Sequence, residues 1–205
     1  MQRNVLSGKR FRKLIAIGAI PAAALLAAGA PAGSSTAAAE SGARRDVMRL
    51  VADVSERRLV IIDGGETVRE YTVAVGQPSD PTPRGSFTIR KIVWNPTWVP
   101  PDEKWAKGKT AKAAGEKGNP MKVVKIFFRE PDYYIHGTGD LSSLGAAKSR
   151  GCLRMNPEQA AQVAQYVMDH GGAPRPESWF RRVLRFRSQT KVVYLDNPIS
   201  LTITD

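Results

Sequence analysis

Across residues 49–203 the chain is cut into short apolar runs by turn-forming residues, and this punctuation constrains the fold more than any other feature. Arg49-Leu50-Val51-Ala52-Asp53-Val54 and Arg58-Leu59-Val60-Ile61-Ile62 flank Ser55-Glu56-Arg57, the pattern of a hairpin. Asp63-Gly64-Gly65 marks a second tight turn, because consecutive glycines accept the positive φ that such turns need. Residues 67–75 alternate and are rich in β-branched side chains. Residues 86–94, 122–128, 132–135, 191–195 and 199–203 read as further strands, with breaks at Pro131 and around Pro198. One segment has a helical period. Asn156 suits a cap, Pro157 the first helical position and Glu158 the positive end, and Ala160, Val163, Ala164, Val167 and Met168 form an i, i+3, i+4, i+7, i+8 stripe that Gly171-Gly172 ends. Residues 176–184 read as a shorter second helix.

Many short strands and one strong helix imply a mainly β fold with minor α, a sandwich or barrel, with the helix following Cys152. At 205 residues with 42% hydrophobic content, the chain can build one packed domain, expected over residues 48–205. That composition excludes collagen-like, disordered and multi-pass membrane classes. There is no internal repeat, Walker loop or dinucleotide fingerprint. Residues 95–121 lack any period and hold Pro96, Pro100, Pro101, Pro120 and five lysines. Such a long loop in a small domain reads as a functional insertion, here a lid. Trp94, Trp98 and Trp105 either pin it to the core or offer a ligand platform.

Residues 1–39 have the layout of a secretory signal peptide. Arg3, Lys9, Arg10, Arg12 and Lys13 precede an uncharged run over residues 14–30, and small residues surround the possible cut sites Ala28-Gly29-Ala30 and Ala37-Ala38-Ala39. The alternative is an uncut anchor, with residues 14–30 as a membrane tether. Residues 40–47 read as a linker. Export to the periplasm or cell wall is the expectation. The formal charge is +12, and losing the five leader cations leaves +7. That excess suits an anionic polymer such as cell wall, and export argues against nucleic acid as a partner.

Cys152 is the only cysteine, so no intramolecular disulfide forms. A lone thiol in an oxidising compartment is exposed to mispairing, which favours a chemical use. His136 is one of two histidines and lies in Tyr134-Ile135-His136-Gly137-Thr138 at the end of an apolar strand. Cys152 lies in Ser149-Arg150-Gly151-Cys152-Leu153-Arg154. A thiol is mostly protonated at neutral pH, so a neighbouring imidazole is expected to take its proton and form a thiolate–imidazolium pair. The thiolate then attacks an acyl carbon, and the imidazolium protonates the leaving amine. Backbone N–H groups of Gly151, Cys152 and Arg150 are the expected oxyanion donors, and Gly151 also permits φ > 0. Arg154, two residues past the thiol, shares its face; it either binds a substrate carboxylate or pairs an internal acid. Ser149 and Tyr134, flanking the pair, are expected substrate contacts. His170 closes the helix beside Gly171 and is expected to meet helix-end carbonyls. No metal is expected, since no paired ligand spacing accompanies His136 and Cys152. No cofactor is expected either.

His-Gly-Thr at 136–138 followed by Ser-Arg-Gly-Cys-Leu-Arg at 149–154 resembles the L,D-transpeptidase catalytic domain family, YkuD type. Thr82-Pro83-Arg84-Gly85-Ser86-Phe87-Thr88-Ile89 is similar to the family's Thr-Pro-x-Gly-x-Phe-x-Ile segment, and Val73-Ala74-Val75-Gly76 to its opening. The resemblance implies a β-sandwich-like domain that acts on peptidoglycan tetrapeptide stems in the bacterial envelope. Cys152 would acylate at the diaminopimelate carbonyl, release D-alanine and pass the acyl group to an amine acceptor, a second stem or a lipoprotein. His136 matches the family's base, Gly137 the residue whose carbonyl orients the imidazole, and Arg154 the motif arginine. Arg150 stands where the common pattern has histidine, so it is expected to favour thiolate or bind substrate. A hydrolase using the same residues, and a non-catalytic wall-binding protein, remain as alternatives. A monomer is expected.

Overall fold

The computed structural model describes residues 47–205; the expected leader over residues 1–39 and all but the last residue of the expected linker lie outside the described residues. The strands are β1 (Arg49–Asp53), β2 (Arg58–Asp63), β3 (Glu66–Thr72), β4 (Val75–Gly76), β5 (Gly85–Trp94), β6 (Lys122–Arg129), β7 (Tyr133–Gly137), β8 (Ala147–Ser149), β9 (Leu153–Met155) and β10 (Lys191–Thr204). Two helices, α1 (Pro157–His170) and α2 (Glu177–Arg185), lie between β9 and β10. Eight strands form one mixed sheet in the order β3-β2-β1-β10-β5-β6-β7-β9, and β4 pairs with β8 in a small second sheet. The large sheet curls into a nearly closed barrel-like form, so the molecule is mostly β as its punctuation implies.

Local chemistry explains the elements. Gly64 and Gly65, at φ +57° and +83°, turn β2 into β3. Asn156 caps α1, its side chain accepting from the N–H groups of Glu158 and Gln159 at 2.9 and 3.4 Å. The helical stripe from Ala160 to Met168 is fully buried against the sheet. Two expected C-terminal strands are instead one, β10, with an irregularity between Tyr194 and Ile199 in its pairing with β5. Pro198 has no N–H for the ladder, so the chain bulges there and resumes.

The inner face of the sheet carries Leu50, Leu59, Ile61, Ile89, Ile92, Ile126, Ile135, Leu153 and Leu201, none with exposed surface. Trp94 belongs to this core. Its indole N–H points at Met168 Sδ at 3.3 Å, and its ring meets Trp179 and Phe180 at 5.9 and 5.6 Å. Trp98 is also buried, within residues 95–121. That segment is pinned by Asn119, whose amide donates to Pro96 and Ala113 carbonyls at 3.0 and 2.9 Å, and by a bridge between Trp98 and Lys112.

Candidate active site

Strand alternation builds the site. On β6, Val124, Ile126 and Phe128 face the core, which turns Lys125 and Phe127 outward. On β7 the core residue is Ile135, so Tyr134 and His136 share the outer face; after β8 the chain enters β9 with Leu153 inward and Arg154 outward. Lys125 is in register with His136, and His136 with Arg154; Phe127 is in register with Tyr134. Cys152 immediately precedes β9, so the parallel register continues it alongside Tyr134. The outer face is thus a grid of two rows, Lys125–His136–Arg154 and Phe127–Tyr134–Cys152. It floors a groove of about 1720 Å³ that His136, Cys152, Tyr134, Lys125 and Arg154 all line. Pockets for small molecules run to ~300–1,000 Å³, so this one has room for a peptide. Trp98, Trp105 and Lys109 from residues 95–121 line its opposite wall.

His136 is buried, and its Nδ1 meets the Gly137 carbonyl at 2.9 Å. Neutral imidazole carries one proton, and a carbonyl only accepts, so this contact places the proton on Nδ1 and leaves Nε2 as the basic nitrogen. Gly137 has a second duty: a Cβ there would lie 2.5 Å from the Lys122 carbonyl oxygen and 2.9 Å from Pro157 Cα, where β7 passes the start of α1.

The turn before Cys152 is held from within. Ser149, without exposed surface, accepts from the Gly151 N–H at 3.1 Å and donates to the Cys152 carbonyl at 2.5 Å. Gly151 sits at φ +97°, and a Cβ would approach Tyr133 Cε1 to 2.7 Å. Two expectations change here. Ser149 braces the turn rather than presenting its hydroxyl to substrate. The Gly151 N–H is committed to that brace, so of the expected oxyanion donors only the amides of Cys152 and Arg150 remain.

Arg150 has a structural role beside its expected one. Its guanidinium reaches Asp80 at 3.1 Å and lies 4.6 Å from the Trp105 ring centroid. It ties the proline-rich loop to residues 95–121, and its side chain also lines the groove. Arg154 lies a loose 4.0 Å from exposed Asp140, while its backbone pins β9 to Ala74 through two 2.9 Å hydrogen bonds. Tyr134 packs edge-on against His136 at 5.5 Å and Phe127 at 5.2 Å. His170 Nδ1 donates to the Tyr166 carbonyl at 2.9 Å and Nε2 pairs with Asp63 at 3.1 Å, and His170 does not line the groove.

Electrostatics correct one further expectation. Burial in the groove floor pushes the Cys152 thiol up to about 11, against the pull of the Tyr134 backbone N–H, Lys125 and Arg154. Burial drives the His136 imidazole down to about 3, with Arg154 and Lys125 adding to it and the Gly137 carbonyl opposing. Both shifts favour the neutral thiol and the neutral imidazole over the expected thiolate–imidazolium pair. The thiol donates to the Asp132 carbonyl at 3.2 Å.

Lys125 escaped the sequence reading. Its signal was the apolar alternation around it, which needs the β6–β7 pairing to become a position beside His136. The Asp132 carbonyl left no signal, being backbone.

The family comparison agrees with this architecture: the sequence model of the L,D-transpeptidase catalytic domain, YkuD, matches residues 48–193. The chain belongs to the L,D-transpeptidase catalytic domain family. Relatives named as L,D-transpeptidases include YkuD of Bacillus licheniformis, 29% identical over 119 residues covering 58% of this chain and 59% of that protein. ErfK/SrfK of Salmonella typhimurium is 33% identical over 129 residues, covering 59% of this chain and 40% of that one. The matched region thus spans roughly half the length of these relatives. Among solved structures, an L,D-transpeptidase from Mycobacterium smegmatis superposes with TM-score 0.50 and 18% identity over 77% of this chain and 58% of that chain, a likeness of fold.

Proposed function

We propose that this L,D-transpeptidase-family domain is a cysteine acyltransferase of peptidoglycan stem peptides, exported by its N-terminal segment to the periplasm or cell wall. The observation that carries the reading is the shared face: the single thiol, just ahead of β9, and an imidazole on the adjoining parallel strand β7 with its basic nitrogen left open line one peptide-sized groove.

The chemistry follows from the neutral resting pair. When a donor peptide seats, the Cys152 S–H proton passes to His136 Nε2 as the sulfur bonds to the acyl carbon. Burial opposes both ions, so the proton moves together with formation of the S–C bond rather than before it. The amides of Cys152 and Arg150 are the donors for the oxyanion. The intermediate collapses by breaking the C–N bond, and the imidazolium gives its proton to the leaving amine. That leaves a thioester on Cys152 and a neutral His136. An acceptor amine then attacks the thioester, His136 takes the amine proton, and the thiolate leaves and recovers it. A tetrapeptide stem is the donor, D-alanine the leaving group, and a second stem or a lipoprotein the acceptor. Arg154 binds a carboxylate of the donor, being in the groove with only a distant acid beside it.

Water in place of the amine would make the same site a carboxypeptidase. Incubating tetrapeptide muropeptides with wild type and Cys152→Ala separates the readings. Cross-linked dimers from wild type alone support the transferase. Trimmed monomers alone support the hydrolase. No change in either supports a non-catalytic wall-binding protein.

A further inference from the structure

Lys125 is the groove residue that the proton transfers above do not use. It stands in register with His136 on the side away from Arg154, so the imidazole has a cation on each flank. Its ammonium leans over Tyr134, 4.5 Å from the ring centroid, into the row that holds the sulfur. Neighbouring ion pairs use other cations: Lys91 takes Glu130 and Arg150 takes Asp80. Among the described residues no carboxylate lies within 4.0 Å of the Lys125 ammonium. Burial disfavours this ammonium, its nearest company is an aromatic face, and the Asp132 carboxylate offsets the burial only in part, so an anion arriving in the groove relieves it.

We infer that Lys125 is the docking point for the free α-carboxylate of the amino acid that leaves when Cys152 is acylated. The inference rests on the acyl-transfer reading and names the group that selects its donor. The nitrogen of the departing amino acid must meet His136 Nε2 to receive a proton. Its carboxylate is two bonds further on. Adjacent strands are ~4.8 Å apart, so the strand beside His136 presents its cation at about that reach. Arg154 on the other flank serves a different carboxylate of the donor and has Asp140 at 4.0 Å, whereas no carboxylate stands within 4.0 Å of Lys125 and Asp132 acts on it only from farther off. A donor ending one residue past the scissile bond therefore places its carboxylate on Lys125. A longer or amidated donor offers a neutral amide there and leaves the ammonium unpaired.

The test has two arms. In the first, Cys152 is alkylated with iodoacetate and with iodoacetamide, and the two rates are followed by intact mass. Both reagents consume the same thiolate, so their ratio cancels thiol pKa and reports the cation that meets a carboxylate. Lys125→Met is expected to lower the iodoacetate-to-iodoacetamide ratio about tenfold, and Lys125→Arg to keep most of it. In the second, thioester formation is compared for a tetrapeptide donor with a free C-terminal carboxylate and for its C-terminal amide. Wild type is expected to prefer the acid at least tenfold, and Lys125→Met to lose that preference. A ratio unmoved by Lys125→Met in the first arm overturns the inference. So does a variant that slows acid and amide donors equally. If wild type forms no thioester with either peptide, the acyl-transfer reading fails, and the haloacetate arm still decides what Lys125 binds.

Discussion

The sharpest consequence of the groove's electrostatics is a sluggish thiol. Burial raises the Cys152 thiol from 9.0 to about 11. Each unit is a tenfold change, so at pH 7.5 the resting enzyme holds about a hundredfold less thiolate than an unperturbed thiol. Iodoacetamide alkylation of Cys152, followed by intact mass from pH 6 to 11, should be correspondingly slow near neutrality. It should climb about tenfold per pH unit without levelling before about pH 10. Replacing Lys125 by Met removes one of the cations that lower the thiol, so the whole profile should move to higher pH. Heating to unfold the protein should accelerate alkylation at pH 7.5, since the thiol then returns to its ordinary range. A profile that plateaus below pH 8 would show a preformed thiolate. Acylation would then not need substrate to drive proton transfer, and the neutral-pair mechanism would be wrong.

Three further outcomes are expected. His136→Ala should reduce thioester formation by at least about a hundredfold, within the usual range for losing a general base, whereas His170→Ala should leave it near wild type; comparable losses would remove His136 as base. Ser149→Ala should lower stability by about 1–3 kcal/mol in urea, because the buried Gly151 N–H and Cys152 carbonyl each lose a partner; an unchanged midpoint would mean that the hydroxyl does not brace the turn. Acid should destabilise the fold through His136. Its folded pKa of about 3 lies below the ordinary 6.5, so the unfolded chain binds the extra proton, stability is full above pH 6.5, and it is lost as pH falls toward 3. Between pH 7 and 4.5 this amounts to about 2–3 kcal/mol, so the urea midpoint should fall less steeply for His136→Gln than for wild type.

Which parts of this molecule a reader of the sequence can see follows from how far each signal travels along the chain. The cap and stripe of α1 are local: Asn156, Pro157 and the spacing from Ala160 to Met168 lie within one helix, and each occupies its expected place. The Asp63-Gly64-Gly65 turn is equally local. Strands β4, β8 and β9 are two or three residues long and show no period; β4 and β8 exist because Val75 and Gly76 meet Ala147 and Ser149, some 70 residues away, and β9 because Leu153–Met155 meets β7 at Ile135, His136 and Gly137. The same distinction runs through the groove. Cys152 and His136 are visible because their residue types are rare here and their chemistry is specific. The braces are less visible because serine and arginine have many uses. Ser149 becomes a clamp only once Gly151 folds to positive φ, and Arg150 becomes a tie only when Asp80 and Trp105 arrive from other segments.

Lys125 shows what joins the two kinds of information. Alone, it is a lysine in an apolar run. Alternation with Val124 and Ile126 turns it to the outer face, and register with His136 puts it in the row of the base. Neither step requires a tertiary contact beyond one strand pairing. Burial holds the imidazole neutral and the flanking cations add to it, while the same cations lower the thiol against its burial. A carboxylate that neutralised Lys125 would relax the first effect and weaken the second. Substrate binding would then make His136 a stronger base at the step where it must accept the sulfur's proton. The same carboxylate would also raise the thiol, so the donor's charge would strengthen the base while making the sulfur less acidic, and the two effects on proton transfer oppose each other.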